Sequence, residues 1–393
     1  MPNPSAITDP WALPYGPHLY LHVPFCRARC RYCDFVSYPG QEHLHQAYVR
    51  ALCQEVGLVG GGGALGAPVG PPTLYIGGGT PTVLPPAGLA ALLEACSQAL
   101  DLGAAEVTVE ANPGTVTLET LRALRSLGVN RLSLGVQSFS DQALRLLGRI
   151  HTAQEARQAY AWARRAGLPQ LNLDMIFGLP GQTLGDWQRD LEGAIVLEPE
   201  HLSLYCLTLE EGTSLAQAVE RGELPALDED LAAEMVLWTE ERLEAAGYQH
   251  YEISNWARPG CWSRHNIAYW RNEDYRGCGV AAHSHAGRRR WANTRSLEEY
   301  LHALQQGRLP VAEEEELDEA TAMGETMMLG LRLSEGVPHA VFRQRYGVEM
   351  AAVYGPILSE LVAQGLLEVD GRGVRLTGRG RLLGNQVFGR FLP

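Results

Sequence analysis

Across the first half of the chain, short β-branched or aromatic runs alternate with longer segments of helical periodicity, and this alternation limits the architecture more than any other feature. Strands are expected at Leu19 to Val23, Thr73 to Ile76, Glu106 to Val109, Arg131 to Val136, Leu171 to Ile176 and His201 to Leu207. Between them apolar residues return at helical spacing, as in Leu89, Leu92, Leu93 and Ala99, or Leu118, Leu121, Leu124 and Leu127. Six strand-then-helix units imply a parallel sheet with right-handed crossovers. The expected fold class is therefore α/β: an open or partial (βα)6 barrel over residues 18–210, preceded by an N-terminal segment, 1–17.

Past residue 210 the alternation fades. Leu231 to Ala245 has a helical pattern, Tyr248 to Ile253 reads as a further strand, and Ser263 to His285 is dense in aromatics and histidines. Residues 211–312 are expected to extend the barrel. The acidic run Glu313 to Glu316 reads as a solvated linker or a helix start. Beyond it, Ala320 to Leu331, Pro338 to Tyr346 and Ala351 to Gln364 read as helices and Leu366 to Thr377 as a small hairpin, which suggests a winged-helix-like C-terminal domain at 313–393. Its wing lacks the basic cluster that DNA binding requires. The glycine-rich stretch Gly57 to Pro72 has no strand leading into it and no Lys-Ser or Lys-Thr after it, so a flexible loop is expected there rather than a phosphate cradle.

Composition narrows the function classes. No apolar run approaches the ~20 residues needed to span a bilayer. Met1 to Pro17 carries Pro and Asp instead of a basic stretch leading into an apolar one, so no signal peptide is expected and a cytoplasmic location is. A formal net charge of −13 opposes broad nucleic-acid binding, which depends on clustered Lys and Arg. Of the eight cysteines, three form a tight trio and five are scattered, a distribution that suggests a metal site plus buried thiols and not a disulfide framework.

The trio is Cys26, Cys30 and Cys33, within His22-Val23-Pro24-Phe25-Cys26-Arg27-Ala28-Arg29-Cys30-Arg31-Tyr32-Cys33-Asp34-Phe35. Three thiolates on a loop after a strand can converge on one face of an iron–sulfur cubane and leave its fourth iron without a protein ligand. A zinc site would want four ligands in closed pairs, and neither Cys53 nor a nearby His supplies that spacing. Downstream, Gly77-Gly78-Gly79-Thr80-Pro81 follows the second strand, Glu110 ends the third, Gln137 lies just past the fourth and Asp174 lies toward the C-terminal end of the fifth. In parallel barrels that edge builds the site, so these side chains are expected to converge there.

The C-x3-C-x2-C spacing, with an aromatic before the last cysteine, resembles the radical S-adenosylmethionine (SAM) superfamily. That resemblance implies a [4Fe-4S] cluster on Cys26, Cys30 and Cys33, with the open iron taking the amino and carboxylate groups of SAM. It narrows with Tyr20-Leu21-His22-Val23-Pro24-Phe25-Cys26, Leu134-Gly135-Val136-Gln137-Ser138-Phe139, Gly148-Arg149-Ile150-His151 and Asn172 to Pro180, which are similar to the branch holding oxygen-independent coproporphyrinogen III oxidases and HemW heme chaperones. By that similarity Tyr20, Tyr32, Gly78, Gly79, Thr80, Glu110, Gln137, Arg149 and Asp174 would contact SAM. Glu110 and Asp174 would suit amino or ribose hydroxyl donors, and Arg149 a carboxylate.

Two departures favour the chaperone side of that branch. The oxidase pattern carries a further cysteine two positions after the third cluster cysteine, where this chain has Phe35, and a longer arm before the motif. On the positive side, His265-Asn266-Ile267-Ala268-Tyr269-Trp270 is similar to the H-N-x-x-Y-W motif of the chaperones. An imidazole is a common axial ligand for heme iron, and Tyr269 and Trp270 would frame a macrocycle. A structural His265 on an aromatic turn is the competing reading. His283 and His285 form a second pair open to either heme ligation or packing, and Arg288 to Arg290 either meet propionates or make a solvated turn. Cys261 and Cys278 read first as buried thiols, with heme attachment as the alternative. The resemblance thus implies heme, an unidentified heme-acceptor protein and chaperone activity. Oxidative decarboxylation of coproporphyrinogen III by a radical is the alternative. A homodimer and a transient membrane-protein partner stay open.

Overall fold

The computed structural model describes residues 9–14, 16–60 and 70–393. The centre of the expected Gly57 to Pro72 loop, 61–69, lies outside the described residues, as do residues 1–8 of the N-terminal segment; the helix that leads into the loop runs from His45 to Gly60.

Six parallel strands form the frame: β1 (His18–Val23), β2 (Thr73–Gly78), β3 (Glu106–Ala111), β4 (Arg131–Gln137), β5 (Gln170–Phe177) and β6 (His201–Cys206). Each lies beside the next in sequence order. Their side chains alternate with period two. One set, including Leu21, Leu74, Ile76, Val107, Val109, Leu132, Leu134, Leu173 and Leu202, is buried in one apolar core with the crossover helices. Those helices present Leu89, Leu92 and Leu93, then Leu121 and Leu124, then Ala156, Ala159 and Ala163, then Trp187 and Leu191. A fully buried side chain of Leu, Ile or Val size contributes roughly 1.5–3 kcal/mol by leaving water, so this shell holds the sheet's curvature.

The alternate set is polar: His18, Tyr20 and His22 on β1, Tyr75 on β2, Glu106 and Glu110 on β3, Ser133 on β4, Asn172 and Asp174 on β5, His201 and Ser203 on β6. These groups satisfy one another across strands, as in Tyr75–Glu110 (2.7 Å), Ser133–Asp174 (2.8 Å) and Asn172–His201 (2.7 Å). A closed barrel fills its centre with branched apolar side chains; this lining is polar instead.

The sheet has nine strands: the six of the expected barrel, the further strand expected at Tyr248 to Ile253, and two that were not expected. The hairpin β7 (Gln249–Glu252) and β8 (Asn255–Ala257) adds antiparallel to β6, and β9 (Arg276–Cys278) adds parallel to β1 at the opposite edge. The chain between them carries helix Arg264–Trp270 across the N-terminal ends of the strands. There Glu106 accepts from the backbone N–H groups of Arg264 and His265, and Arg131 donates to the Cys261 carbonyl.

The acidic run is neither linker nor helix start. It lies in strand β12 (Val311–Glu316), which pairs with β11 (Arg289–Asn293), itself paired with β10 (His283–Ala286). The register sets Arg289 against Glu316 and Arg290 against Glu315, and Arg289 reaches Glu314 at 2.6 Å. Opposite charges across a ladder explain why four consecutive glutamates accept strand geometry. The strand also crosses the boundary expected at 312/313. Beyond it, helices Glu319–Gly330, His339–Tyr346 and Met350–Ala363 pack with a three-stranded sheet, Val337–Pro338, Gly373–Leu376 and Leu367–Val369, around Met327, Phe342, Leu358 and Phe388. Two short terminal helices, Gly378–Leu382 and Gly384–Phe388, were not evident in the sequence pattern.

Candidate functional site

At the C-terminal ends of the strands, the segment after β1 carries Cys26, Cys30 and Cys33, all half-buried and free of disulfides. The segment is pinned from outside: Phe25–Cys26 pairs with Tyr38–Pro39, and the Arg31 amide donates to the Leu147 carbonyl at 3.0 Å. Burial pushes the Cys26 and Cys33 thiols up from their ordinary range, so metal binding there must displace protons. Among the described residues no three His, Cys, Asp or Glu side chains close on a single ion. A cubane takes one thiolate at each of three irons, and so suits a wider spacing.

The residues expected around SAM stand next to that segment. Gly78 has φ +108, and a Cβ on it would lie 2.5 Å from the His22 ring; a Cβ on Gly79 would lie 2.7 Å from the Phe25 carbonyl oxygen. Only glycine allows this approach. It lets the Gly79 and Thr80 amides donate to Val23 and Phe25 at 2.8 Å each, which fixes the turn beneath the cysteine loop. Thr80 touches the Cys26 sulfur at 3.5 Å. Glu110 accepts from the Gly78 amide (3.1 Å) and the Tyr75 hydroxyl (2.7 Å), and burial raises its carboxyl to about 7. Burial also raises Asp174, which accepts from Ser133 and Asn172. Tyr20 meets His22 at 3.0 Å, and burial raises the Tyr20 and Tyr32 phenols. Gln137 ends β4 with φ +68 beside a register shift. A non-glycine residue in this region costs roughly 1–3 kcal/mol and marks sites where geometry matters more than stability.

Arg149 donates to the Cys30 sulfur at 3.3 Å, to the Gly135 carbonyl at 2.8 Å and to Asn112, while its Nε is buried without a partner among the described residues. A cation against a thiolate suits an anionic cluster, and the orphaned Nε fits an incoming carboxylate. Asn112 was missed in the sequence: it links Thr80 (2.7 Å) to Arg149. Its signal was available in Glu110-Ala111-Asn112-Pro113, where a polar residue caps the end of a barrel strand.

A cavity of about 400 Å³ opens between three parts of the chain: Tyr20, Gly78 and Glu110 from the barrel, Phe35 from the cysteine loop, Tyr269 and His283 from the extension. The H-N-x-x-Y-W residues do not face it together. His265 is buried behind Tyr269, with Nδ1 at 2.7 Å from the Thr73 hydroxyl and Nε2 at 2.9 Å from the Tyr269 hydroxyl. Trp270 stacks under Arg332, 4.4 Å from the ring centre. His285 is buried against the carbonyls of Glu273 and Gly287, Cys278 is fully buried, and Arg289 and Arg290 are paired with glutamates.

Residues 20–193 match the Radical SAM superfamily, and residues 317–383 match the HemN C-terminal domain. Over 379 residues the chain is 37% identical to the heme chaperone HemW of Bacillus subtilis, covering 95% of this chain and 98% of that protein. The chain belongs to the HemW family. The HemW of Mycobacterium tuberculosis is 39% identical over 378 residues, 95% of this chain and 94% of that one. Among solved structures, the coproporphyrinogen III oxidase HemN of Escherichia coli, a radical SAM enzyme, aligns with TM-score 0.81 at 26% identity over 99% of this chain and 92% of its own. The α/β barrel is thus that of the radical SAM fold, and the helical C-terminal region is similar to the HemN C-terminal domain. No helix among the described residues is long and apolar enough to cross a membrane.

Proposed function

We propose that this chain is a heme chaperone, which binds heme in the cavity and passes it to an acceptor protein while Cys26, Cys30 and Cys33 hold a [4Fe-4S] cluster. The supporting observation is the cavity itself, because it joins the cysteine loop and the barrel lining to the H-N-x-x-Y-W helix through Tyr269. A bound cluster and SAM would supply one-electron chemistry beside it. The chain's own residues do the rest. Gly78 and Gly79 let backbone approach the methionine end, Glu110 and Asp174 accept from its amino or ribose donors, and Arg149 balances the thiolate charge. Tyr20, Tyr32, Thr80 and Gln137 complete that wall. The cytoplasm is the proposed location.

The oxidase reading draws support from the overall likeness to HemN. Against it stands Phe35, exposed at the cavity edge where the oxidase pattern has a cysteine. Anaerobic reconstitution followed by parallel assays separates the two. Heme binding with transfer to an apo-acceptor and no decarboxylation of coproporphyrinogen III is expected; repeated turnover to protoporphyrinogen IX would overturn the proposal.

A further inference from the structure

One unbroken line of hydrogen bonds crosses the barrel from its sealed end to the cavity. It starts at the Arg271–Glu273 ion pair (2.7 Å). Glu273 meets His18 Nε2 at 2.9 Å, His18 Nδ1 meets the Thr73 hydroxyl at 2.8 Å, Thr73 meets His265 Nδ1 at 2.7 Å, and His265 Nε2 meets the Tyr269 hydroxyl at 2.9 Å. His18, Thr73, His265 and Glu273 are all buried.

A carboxylate only accepts, so it sets the direction of the whole line. His18 donates from Nε2 and accepts at Nδ1 from Thr73. Thr73 then accepts from His265 Nδ1–H, which leaves His265 Nε2 as the acceptor of the Tyr269 proton. Every proton points toward Glu273. The Tyr269 hydroxyl has no other hydrogen-bond partner among the described residues, and the residue lines the cavity.

We infer that the heme ligand of this site is the Tyr269 phenolate, with His265 as the positioning residue that takes its proton, because the Glu273–His18–Thr73–His265 line ends on that hydroxyl at the cavity wall. This rests on the heme reading above. In the binding step the Tyr269 O–H bond breaks and an oxygen–iron bond forms. The phenol proton moves to His265 Nε2, the His265 Nδ1 proton to Thr73, the Thr73 proton to His18 Nδ1, and the His18 Nε2 proton to Glu273. Iron stays ferric throughout. Burial raises the Tyr269 phenol and disfavours a charged His265, so the proton leaves along the line to Glu273 only as iron takes the oxygen. Phenolate is an established class of heme ligand, and a hard anionic oxygen prefers ferric to ferrous iron. A chaperone that holds ferric heme through such a ligand gains a release step, since reduction or reprotonation weakens the bond.

The test uses full-length protein with its reconstituted cluster and ferric heme. Resonance Raman and electron paramagnetic resonance of the unaltered protein should show a high-spin iron–phenolate species, and affinity should drop at least tenfold on reduction to ferrous heme. Tyr269→Phe should erase the phenolate bands and weaken ferric heme at least tenfold, with cluster content unchanged. Thr73→Val, which touches no heme, should shift formation of the phenolate species to higher pH, and Thr73→Ser should restore it. A nitrogen-ligated spectrum in the unaltered protein would overturn the inference while keeping the heme reading. So would phenolate bands that persist in Tyr269→Phe, or a signature lost on His283→Ala instead. No ferric heme binding by the unaltered protein would remove both.

Discussion

The two ends of the barrel use similar residues in opposite ways. At the C-terminal end, polar groups are left in costly states: Gln137 with positive φ, Arg149 with an unpartnered Nε, Glu110 and Asp174 buried with raised carboxyl pKa values. At the N-terminal end, His18, Thr73, Glu106 and His201 are equally buried yet each is bonded to a neighbour. Burial and polarity therefore do not identify a site by themselves; the convergence of such groups on the cysteine loop and the cavity does. The Tyr269 line is one place where the sealed end reaches the open one, and the His201–Asn172–Asp174 line is another.

The largest effect that tests this contrast is loss of the cluster. Replacing Cys26, Cys30 or Cys33 by Ala is expected to abolish bound iron and sulfide after anaerobic reconstitution, whereas Cys96→Ala, a change within the core, should leave about four irons per chain. Full iron content in the three trio variants would erase the distinction between the ends.

A smaller effect lies in Glu110. Its folded pKa of about 7 exceeds its ordinary value because of burial, so its contribution to stability is complete below about pH 4.5 and is lost as pH rises through about 7. SAM binding runs the other way, because the ionised carboxylate is the better acceptor for amino or ribose donors and attracts the sulfonium charge of SAM. Affinity for SAM should rise severalfold between about pH 6 and 8, and Glu110→Gln should lower it and flatten the profile in isothermal titration. A pH-independent affinity in the unaltered protein would remove Glu110 from the binding wall.

At the sealed end the expected effect is on stability alone. Glu106 accepts the Arg264 and His265 amides, and Glu106→Ala strands both, which should cost roughly 1–3 kcal/mol in denaturant unfolding without changing iron content. Loss of cluster in a folded Glu106→Ala protein would mean that the two ends are coupled more widely than through the Tyr269 and Asn172 lines.

The contrast also explains what the sequence disclosed. Strand and helix periods are local, so β1 to β6 and the three main C-terminal helices were legible to within a few residues. The cysteine spacing and Gly78-Gly79 were legible because few residue types tolerate their geometry. What escaped depends on distant partners. Nothing local says that 249–278 joins both edges of the sheet, or that His265 is spent on Thr73, 192 residues away. Asn112 reads as a cap until Arg149 is folded against it.

The acidic run is the sharpest case of such a miss, and it yields the smallest expected effect. Four glutamates in a row carry no strand preference, yet Glu313 to Glu316 lie in β12 because β11 brings Arg289 and Arg290 alongside. The Arg289–Glu314 pair is half-exposed on both sides, so solvent screens it and its net worth is small. Arg290 is different: it donates to Glu325 and Asn272 and is mostly covered. Arg289→Ala should leave unfolding free energy almost unchanged, at high salt above all, while Arg290→Ala should cost at least about 1 kcal/mol. Heme affinity should not change in Arg289→Ala, because a guanidinium already paired across the ladder is not waiting for a propionate. A marked loss of heme affinity in that variant, with stability intact, would return the basic strand to the binding surface and make the paired glutamates its competitors.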